Sequence, residues 1–469
     1  MKKKSKKVFI LLPDGVGLRN FAFTHFSEIA KENELDLVYW NNTEFPLHNE
    51  LGFNEIKISN AKCHFASDLY KRAKTKIELL TFFKRTNDKA FLSYIFPDSK
   101  SNLKTIIKNK IVNAITRTHS SKKGQERVRK QISKFELKTD YYNNCVEQLK
   151  EHRPDFVFCT NQRPILAVAP LLAAKTLDIP TATFIFSWDN LPKGTLIVEV
   201  DYYFVWSDFM KQELLEYYPY IEEKQVVVTG TPQFEIHYDK ENIVSKESFF
   251  NEYKLDLNKK YICFSGDDVT TSPFDQYYLE DLALTVEKLN EEGHNLGIIF
   301  RKCPVDFSGR FDKIIQQHKD IITSIDPKWK NLGNSWNKVM PFKEDIPLLI
   351  NTIRNSELIV NIGSTMAFDG HAHNTPCVYI NYDTEKGDMN AWKIERIYKF
   401  IHFKSMPSKE VVFWANSKDD LRTFILKSLD NNQLDLKHMD AWYDKIAMKP
   451  QQNASRRILK SIETIIEST

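Results

Sequence analysis

Val360-Asn361-Ile362-Gly363-Ser364-Thr365-Met366-Ala367-Phe368-Asp369 runs from a short apolar strand through a small polar turn into the start of a helix. The first amides of a helix lack intrahelical partners, a glycine lets backbone approach a ligand closely, and two hydroxyls add donors. The stretch therefore predicts an anion site with Gly363, Ser364 and Thr365 at a phosphate. Asp369, one turn further in, is placed to reach a ribose hydroxyl. The alternative is that Ser364 or Thr365 only caps the helix. Strand, turn and helix in this order belong to an open α/β sheet, and the chain repeats the pattern on both sides.

Upstream, Lys7 to Leu12 is an apolar strand that closes on Pro13-Asp14-Gly15-Val16-Gly17-Leu18-Arg19-Asn20 before an expected helix from Phe21 to Lys31. Short runs rich in β-branched and aromatic residues follow at Leu35–Trp40, Asp155–Cys159, Thr181–Phe186, Tyr202–Val205 and Gln225–Thr229. Each precedes a polar turn and a helical pattern, and continuous apolar strands predict a parallel sheet covered on both faces. After a polar stretch to Lys246 the rhythm restarts with Lys260–Ser265, a helix from Tyr277 to Glu292, Gly297–Arg301, Leu358–Ile362 and Cys377–Asn381. The expected organisation is an N-terminal domain over 1–235, a second domain over 236–435, and a segment, 436–469, whose amphipathic helix Asn453–Glu467 crosses back to the first domain. A ligand is then expected in the cleft between the two halves.

At 469 residues the chain is long enough for two cores, and 42% apolar residues is ordinary for a water-soluble protein. The six cysteines are scattered without metal-ligand spacing, which predicts a reduced compartment and no structural metal. The opening Met1-Lys2-Lys3-Lys4 precedes an apolar run too short for a secretory signal, so a cytoplasmic protein is expected. The net charge of +4 conceals a segment, 71–138, with nineteen Lys and Arg against five Asp and Glu. Its apolar residues recur at helical spacing. This predicts a basic helical insertion that faces an anionic partner: a membrane surface at the inner face of the plasma membrane, or a lipid-linked or polyanionic acceptor. Nucleic acid is not expected, because no recognition motif or aromatic stacking platform accompanies the charge.

Candidate chemistry lies at strand ends. Asp14, in the first crevice, is the expected general base, able to take a proton from an attacking hydroxyl, and His25 on the following helix is the second candidate. Arg301 and Lys302 emerge at the end of Gly297–Arg301, where open sheets bind ligands. Ser265 and Gly266 end another strand nearby. The adjacent Asp267 and Asp268 do not read as a metal site, since neighbouring carboxylates rarely converge on one point. Trp188, between Ser187 and Asp189-Asn190, is expected to offer a flat face for a sugar beside hydrogen-bonding groups.

With PDGVGLRNF at Pro13 to Phe21, SWDN at Ser187 to Asn190, VTGTPQF at Val228 to Phe234, FRKCP at Phe300 to Pro304 and NIGSTMAFDG at Asn361 to Gly370, the chain resembles bacterial nucleotide-sugar glycosyltransferases of the GT-B type. It is also similar to their relatives, the CDP-glycerol glycerophosphotransferases and the UDP-N-acetylglucosamine 2-epimerases. The resemblance implies two Rossmann-like domains facing across a cleft and an inverting, metal-independent glycosyltransferase with no cofactor. A UDP-sugar is the favoured donor, and the acceptor is a hydroxyl of a surface glycan, glycolipid or protein. It implies donor contacts from Gly230, Thr231, Ser265, Gly266, Arg301, Lys302, Gly363, Ser364, Thr365 and Asp369. Gly17, Arg19, Trp188, Asp189 and Asn190 fall on the acceptor side. Lys302-Cys303-Pro304 stands where the family pattern continues from its arginine with Pro-His-Pro, a departure that points to a different donor. A CDP-glycerol or polyol-phosphate transferase and a non-catalytic nucleotide-sugar-binding module are the alternatives.

Overall fold

The strand Lys6–Leu12 (β1) is buried from Val8 onward and pairs in parallel on both sides, as a run of Val, Phe, Ile and Leu with no polar alternation requires. A computed structural model describes residues 5–95, 102–331, 339–388, 392–430 and 434–469. The lysines at 2–4 and residues 96–101 of the basic segment lie outside the described residues.

The chain divides into two compact units, one of residues 1–232 with 446–469, the other of residues 233–445. The first unit carries β1, Leu35–Asn41 (β2), Glu55–Lys57 (β3), Phe156–Cys159 (β4), Thr181–Phe184 (β5), Tyr202–Val205 (β6) and Val226–Val228 (β7). They form one parallel sheet in the order β3-β2-β1-β4-β5-β6-β7. The second unit carries Lys260–Ser265 (β8), Leu296–Arg301 (β9), Ile322–Ser324 (β10), the antiparallel pair Trp329–Asn331 (β11) and Val339–Pro341 (β12), then Leu358–Asn361 (β13), Cys377–Ile380 (β14) and Phe413–Ala415 (β15). Its main sheet is also parallel, in the order β10-β9-β8-β13-β14-β15. Each sheet grows outward from its first strand in one direction and then the other. The reversal falls between β1 and β4 in the first unit and between β8 and β13 in the second, and crevices at such reversals are where open α/β sheets hold ligands.

The expected helix from Phe21 to Lys31 is broken in two, Leu18–Phe21 and Phe26–Glu32. Thr24 causes the break: its hydroxyl donates to the Asn20 carbonyl at 2.9 Å and accepts from the Phe26 amide at 3.4 Å, a local alternative to the helical ladder. Gln225 belongs to a 3-10 turn instead of the strand that follows it. The segment Ala454–Ser468 is helical, buries Ile458, Leu459, Ile462 and Ile465, and packs on the Phe26–Glu32 helix of its own unit.

The basic segment is helical at Ser67–Thr86, Leu103–Thr118 and Lys122–Glu136, joined around Ala73, Ile77, Val112, Ile115 and Val128. The first of these helices is anchored to the unit by Lys74, whose buried ammonium pairs with Glu78 and donates to the Leu196 carbonyl.

Candidate functional site

In the second unit, the crevice between β8 and β13 is edged by Ser265-Gly266-Asp267-Asp268 on one side and Ile362-Gly363-Ser364-Thr365 on the other. Gly363 has φ +65°, and a side chain there would bring its Cβ within 2.8 Å of the Phe403 ring, so both backbone conformation and packing require glycine. Its open side is therefore filled by protein. Thr365 holds the capping position of the following helix, Met366–His371, without a side-chain cap bond; the Ser364 hydroxyl just before it accepts from the Met366 amide at 3.3 Å, while its own amide donates to Asn361 Oδ1 at 2.9 Å. The Tyr379 hydroxyl holds the Ser364 carbonyl at 2.8 Å. Gly363, Ser364 and Thr365 remain half-buried while the residues on both sides of them are buried, so this turn is what the crevice presents.

Ser265 and Gly266 are buried, with the Gly266 amide donating to the Arg301 carbonyl across β9. Behind them lies a layer of carboxylates. The Asp267 amide donates to Asp275 Oδ2 at 2.6 Å, and Arg310 braces the layer through Asp306 at 3.0 Å and the Asp267 carbonyl at 2.6 Å. Burial pushes Asp275 up to about 7, and burial with the neighbouring Asp268 and Asp275 raises Asp267. For Asp268 burial raises the carboxyl too, but hydrogen bonds from Thr270 and Thr271 outweigh it and hold it below its ordinary range.

Arg301 ends β9 as expected, yet it is buried and its Nη2 reaches both oxygens of Asp345, at 2.9 and 2.8 Å. The carboxylate also accepts from the Trp329 indole at 2.7 Å and the Lys328 amide at 2.8 Å. Arg301 Nη1 is buried without a hydrogen-bond partner, so one edge of the guanidinium is uncommitted. Lys302 pairs with Asp326 at 3.1 Å nearer the surface.

Asp369 is buried and accepts from His237 Nε2 at 2.8 Å, and His237 Nδ1 lies 3.0 Å from His373 Nε2. An Asp369–His237–His373 chain of side chains thus runs through the unit. Burial, reinforced by His237 and Arg354, lowers His373 to about 4 and keeps it neutral. The sequence reading passed over His237, which stands three residues beyond the VTGTPQF motif.

In the first unit, the crevice between β1 and β4 gathers residues from four chain segments. Asp14 caps the turn Gly15–Gly17, with Oδ1 accepting from the Val16 amide at 3.2 Å and Oδ2 from Asn161 Nδ2 at 3.0 Å. It is buried, and this desolvation raises it to about 6 even though both hydrogen bonds and the nearby Arg163 and Lys71 pull the other way. Gly17 is buried, and a Cβ there would collide with Thr160 Oγ1 at 2.3 Å, so the glycine allows the turn to close over β4. Arg19 follows, with Nη2 buried and without a hydrogen-bond partner. Asn161, Arg163 and Lys71 were not singled out from sequence. Lys71 comes from the first helix of the basic segment, so that segment supplies a cation beside Asp14 as well as surface charge. Burial lowers Lys71, helped by Arg163, and lowers Arg163 against the opposing pull of Asp189 and Asp14.

Trp188 corrects an expectation: it is 3% exposed, packed inside instead of offering an open stacking face. Asp189 pairs with Lys193, and Asn190 accepts from Gln162 at 3.0 Å while donating to Asp189 at 2.8 Å. His25 stands just before the Phe26–Glu32 helix with Nδ1 against Glu28, both side chains well exposed. Gly230 and Thr231 end the first unit's sheet, apart in sequence and unit from the other expected donor residues. Gly230, at φ +79°, leaves space for Arg457, which donates to the Thr229 carbonyl at 2.7 Å.

The sequence matches no protein-family profile and no curated protein. Solved structures do resemble the fold along the whole chain. A protein from Listeria monocytogenes described as a UDP-N-acetylglucosamine 2-epimerase aligns at a TM-score of 0.54 and 12% identity, covering 99% of this chain and 97% of that one. The UDP-GlcNAc 2-epimerase of Methanocaldococcus jannaschii gives 0.51 at 14% identity, with 98% and 99% covered. A glycosyltransferase from Rickettsia africae gives 0.50 at 13%, with 99% of each covered. At these identities the likeness shows the fold: two Rossmann-like units of the kind GT-B enzymes share.

Proposed function

We propose that the protein is a nucleotide-sugar glycosyltransferase in which the second unit binds the donor and Asp14 of the first unit deprotonates the acceptor hydroxyl. The observation that carries the reading is Asp14 itself. A carboxyl raised to about 6, between two cations at the reversal point of a parallel sheet, is charged at neutral pH yet basic enough to accept a proton. The half-buried Ser364-Thr365 turn, with the uncommitted edge of Arg301, supports a diphosphate in the second unit, and Asp369 remains the candidate for the ribose. The names of the structures similar in fold favour UDP as the nucleotide. Lys71, Arg163 and Arg19 suit an acceptor that carries negative charge, such as a lipid-linked glycan.

The test is nucleotide release. Incubation with UDP-, GDP- and CDP-sugars, CMP-linked acidic sugars and CDP-glycerol, in the presence of membrane extract, should release UDP from a UDP-sugar. Asp14→Asn should reduce release at least about a hundredfold while UDP affinity changes less than about threefold. Release of CMP from CDP-glycerol would identify the polyol-phosphate transferase instead. Interconversion of UDP-N-acetylhexosamines without release would identify an epimerase, and binding without turnover of any donor would identify a sensor.

A further inference from the structure

The Leu103–Thr118 helix carries two apolar faces, and among the described residues only one of them has a partner within the fold. Val112 and Ile115 are buried against the neighbouring helices of the basic segment. Leu103, Ile107 and Ile111 are 73%, 50% and 41% exposed. At four-residue spacing these three side chains stack along one stripe of the surface, continued by the exposed Ala114 and Thr118. The same periodicity sets Lys104 and Lys108 along one border of the stripe and Lys110 and Arg117 along the other, all four exposed. No acidic residue occurs from 102 to 118, and the following helix adds exposed Lys122, Lys123 and Arg127.

Three large aliphatic side chains in water along one helix are unusual for a soluble surface, and a partner that covers them must also accept cations on both flanks. A protein groove of matching shape would need two acidic rims. A bilayer meets both demands at once, because an interfacial helix lays its apolar stripe among acyl chains while flanking Lys and Arg reach outward to the headgroups. We infer that this face docks the protein on a membrane surface that contains anionic lipid, with Leu103, Ile107 and Ile111 inserted and Lys104, Lys108, Lys110 and Arg117 on the headgroups. The inference deepens the acceptor side of the proposed function. Lys71, which lies beside Asp14, is carried by a helix of the same bundle, so the docking helix and the Asp14 crevice are linked through one packed element.

The test is flotation of the full chain with vesicles of equimolar phosphatidylcholine and phosphatidylglycerol, and with phosphatidylcholine alone. The protein should float with the anionic vesicles only. The triple variant Leu103→Ser/Ile107→Ser/Ile111→Ser should partition at least about tenfold more weakly, and Lys104→Glu/Lys108→Glu/Lys110→Glu should not float at all. Because all six positions are exposed, circular dichroism melts should be unchanged. Over the emission of the eight native tryptophans, an Ile107→Trp protein should show an added component that is blue-shifted and quenched by brominated lipid, a readout of insertion that charge attraction alone does not give.

Flotation of the serine variant at the wild-type level, unquenched Ile107→Trp emission, or equal binding to neutral vesicles would overturn the inference. So would a concentration-dependent dimer abolished by the serine substitutions, which would make a second copy the occupant. Titration with UDP runs in parallel. UDP binding without vesicle binding refutes membrane docking alone, whereas vesicle binding without UDP binding refutes the donor assignment alone.

Discussion

Replacing Asp14 with asparagine should stabilise the first unit at alkaline pH and scarcely affect it in acid. The carboxyl has an ordinary value of 3.8 and stands at about 6 in the fold, chiefly through desolvation. As pH rises, the unfolded chain gives up this proton first, so the folded state loses stability progressively from about pH 4 to pH 6 and levels off above. A gap of about two units at 1.36 kcal/mol per unit amounts to about 3 kcal/mol held against folding at pH 8. About 2 kcal/mol of it develops between pH 4.5 and pH 8. Asparagine carries no such term. Its altered hydrogen bonds to Val16 and Asn161 contribute equally at both pH values and cancel in the comparison. Native-state hydrogen exchange of peptides that cover β1 and β4 reads the unit directly, after correction for intrinsic rates. The stability of the variant relative to the native protein should rise by about 2 kcal/mol between the two conditions. A difference independent of pH would refute both the buried charge and the acid–base role that depends on it.

Gly363→Ala combines a left-handed backbone with a Cβ 2.8 Å from Phe403 and 3.1 Å from Ile397. It should destabilise the second unit by about 2–3 kcal/mol in a thermal melt, and Phe403→Ala should relieve only the steric part. Asp345→Ala strands the buried Arg301 guanidinium and should lower stability by about 3–5 kcal/mol, whereas Arg301→Met with Asp345→Leu should restore most of it. Burial raises Asp345, but Arg301, Trp329 and Lys328 outweigh it and depress the carboxyl. The contribution is therefore present above the ordinary 3.8 and lost as pH falls below it. His373 should titrate by NMR with a midpoint near 4. The second unit should lose stability as pH drops from 6.5 toward 4, because the unfolded imidazole takes its proton first.

The strands were legible because a parallel strand covered on both faces writes itself as an uninterrupted apolar run, and β1, β8 and β13 begin or end within a residue of their expected bounds. The turns at Asp14 and Gly363 were legible because glycine and small polar residues at a strand end have few other uses. The rest depended on contacts that sequence spacing does not encode. Arg301 meets Asp345 across 44 residues, and His237 meets Asp369 across 132. A cation emerging at a strand end and one already neutralised look alike until the fold is known. Trp188 has the same flaw as a sequence signal, since an indole beside an Asp can lie under the turn as readily as on it. The break at Thr24 turns on one hydroxyl choosing a carbonyl behind it.

The helix Ala454–Ser468 belongs to the unit that begins with β1, so the second unit is an insertion, continuous from 233 to 445, within a first unit closed from both sides. During synthesis the whole of the inserted unit is made before the sheet that precedes it receives Ile458, Leu459, Ile462 and Ile465. Until synthesis has passed residue 468, the Phe26–Glu32 helix keeps an uncovered apolar side. The unit that begins first is thus the last whose chain is complete.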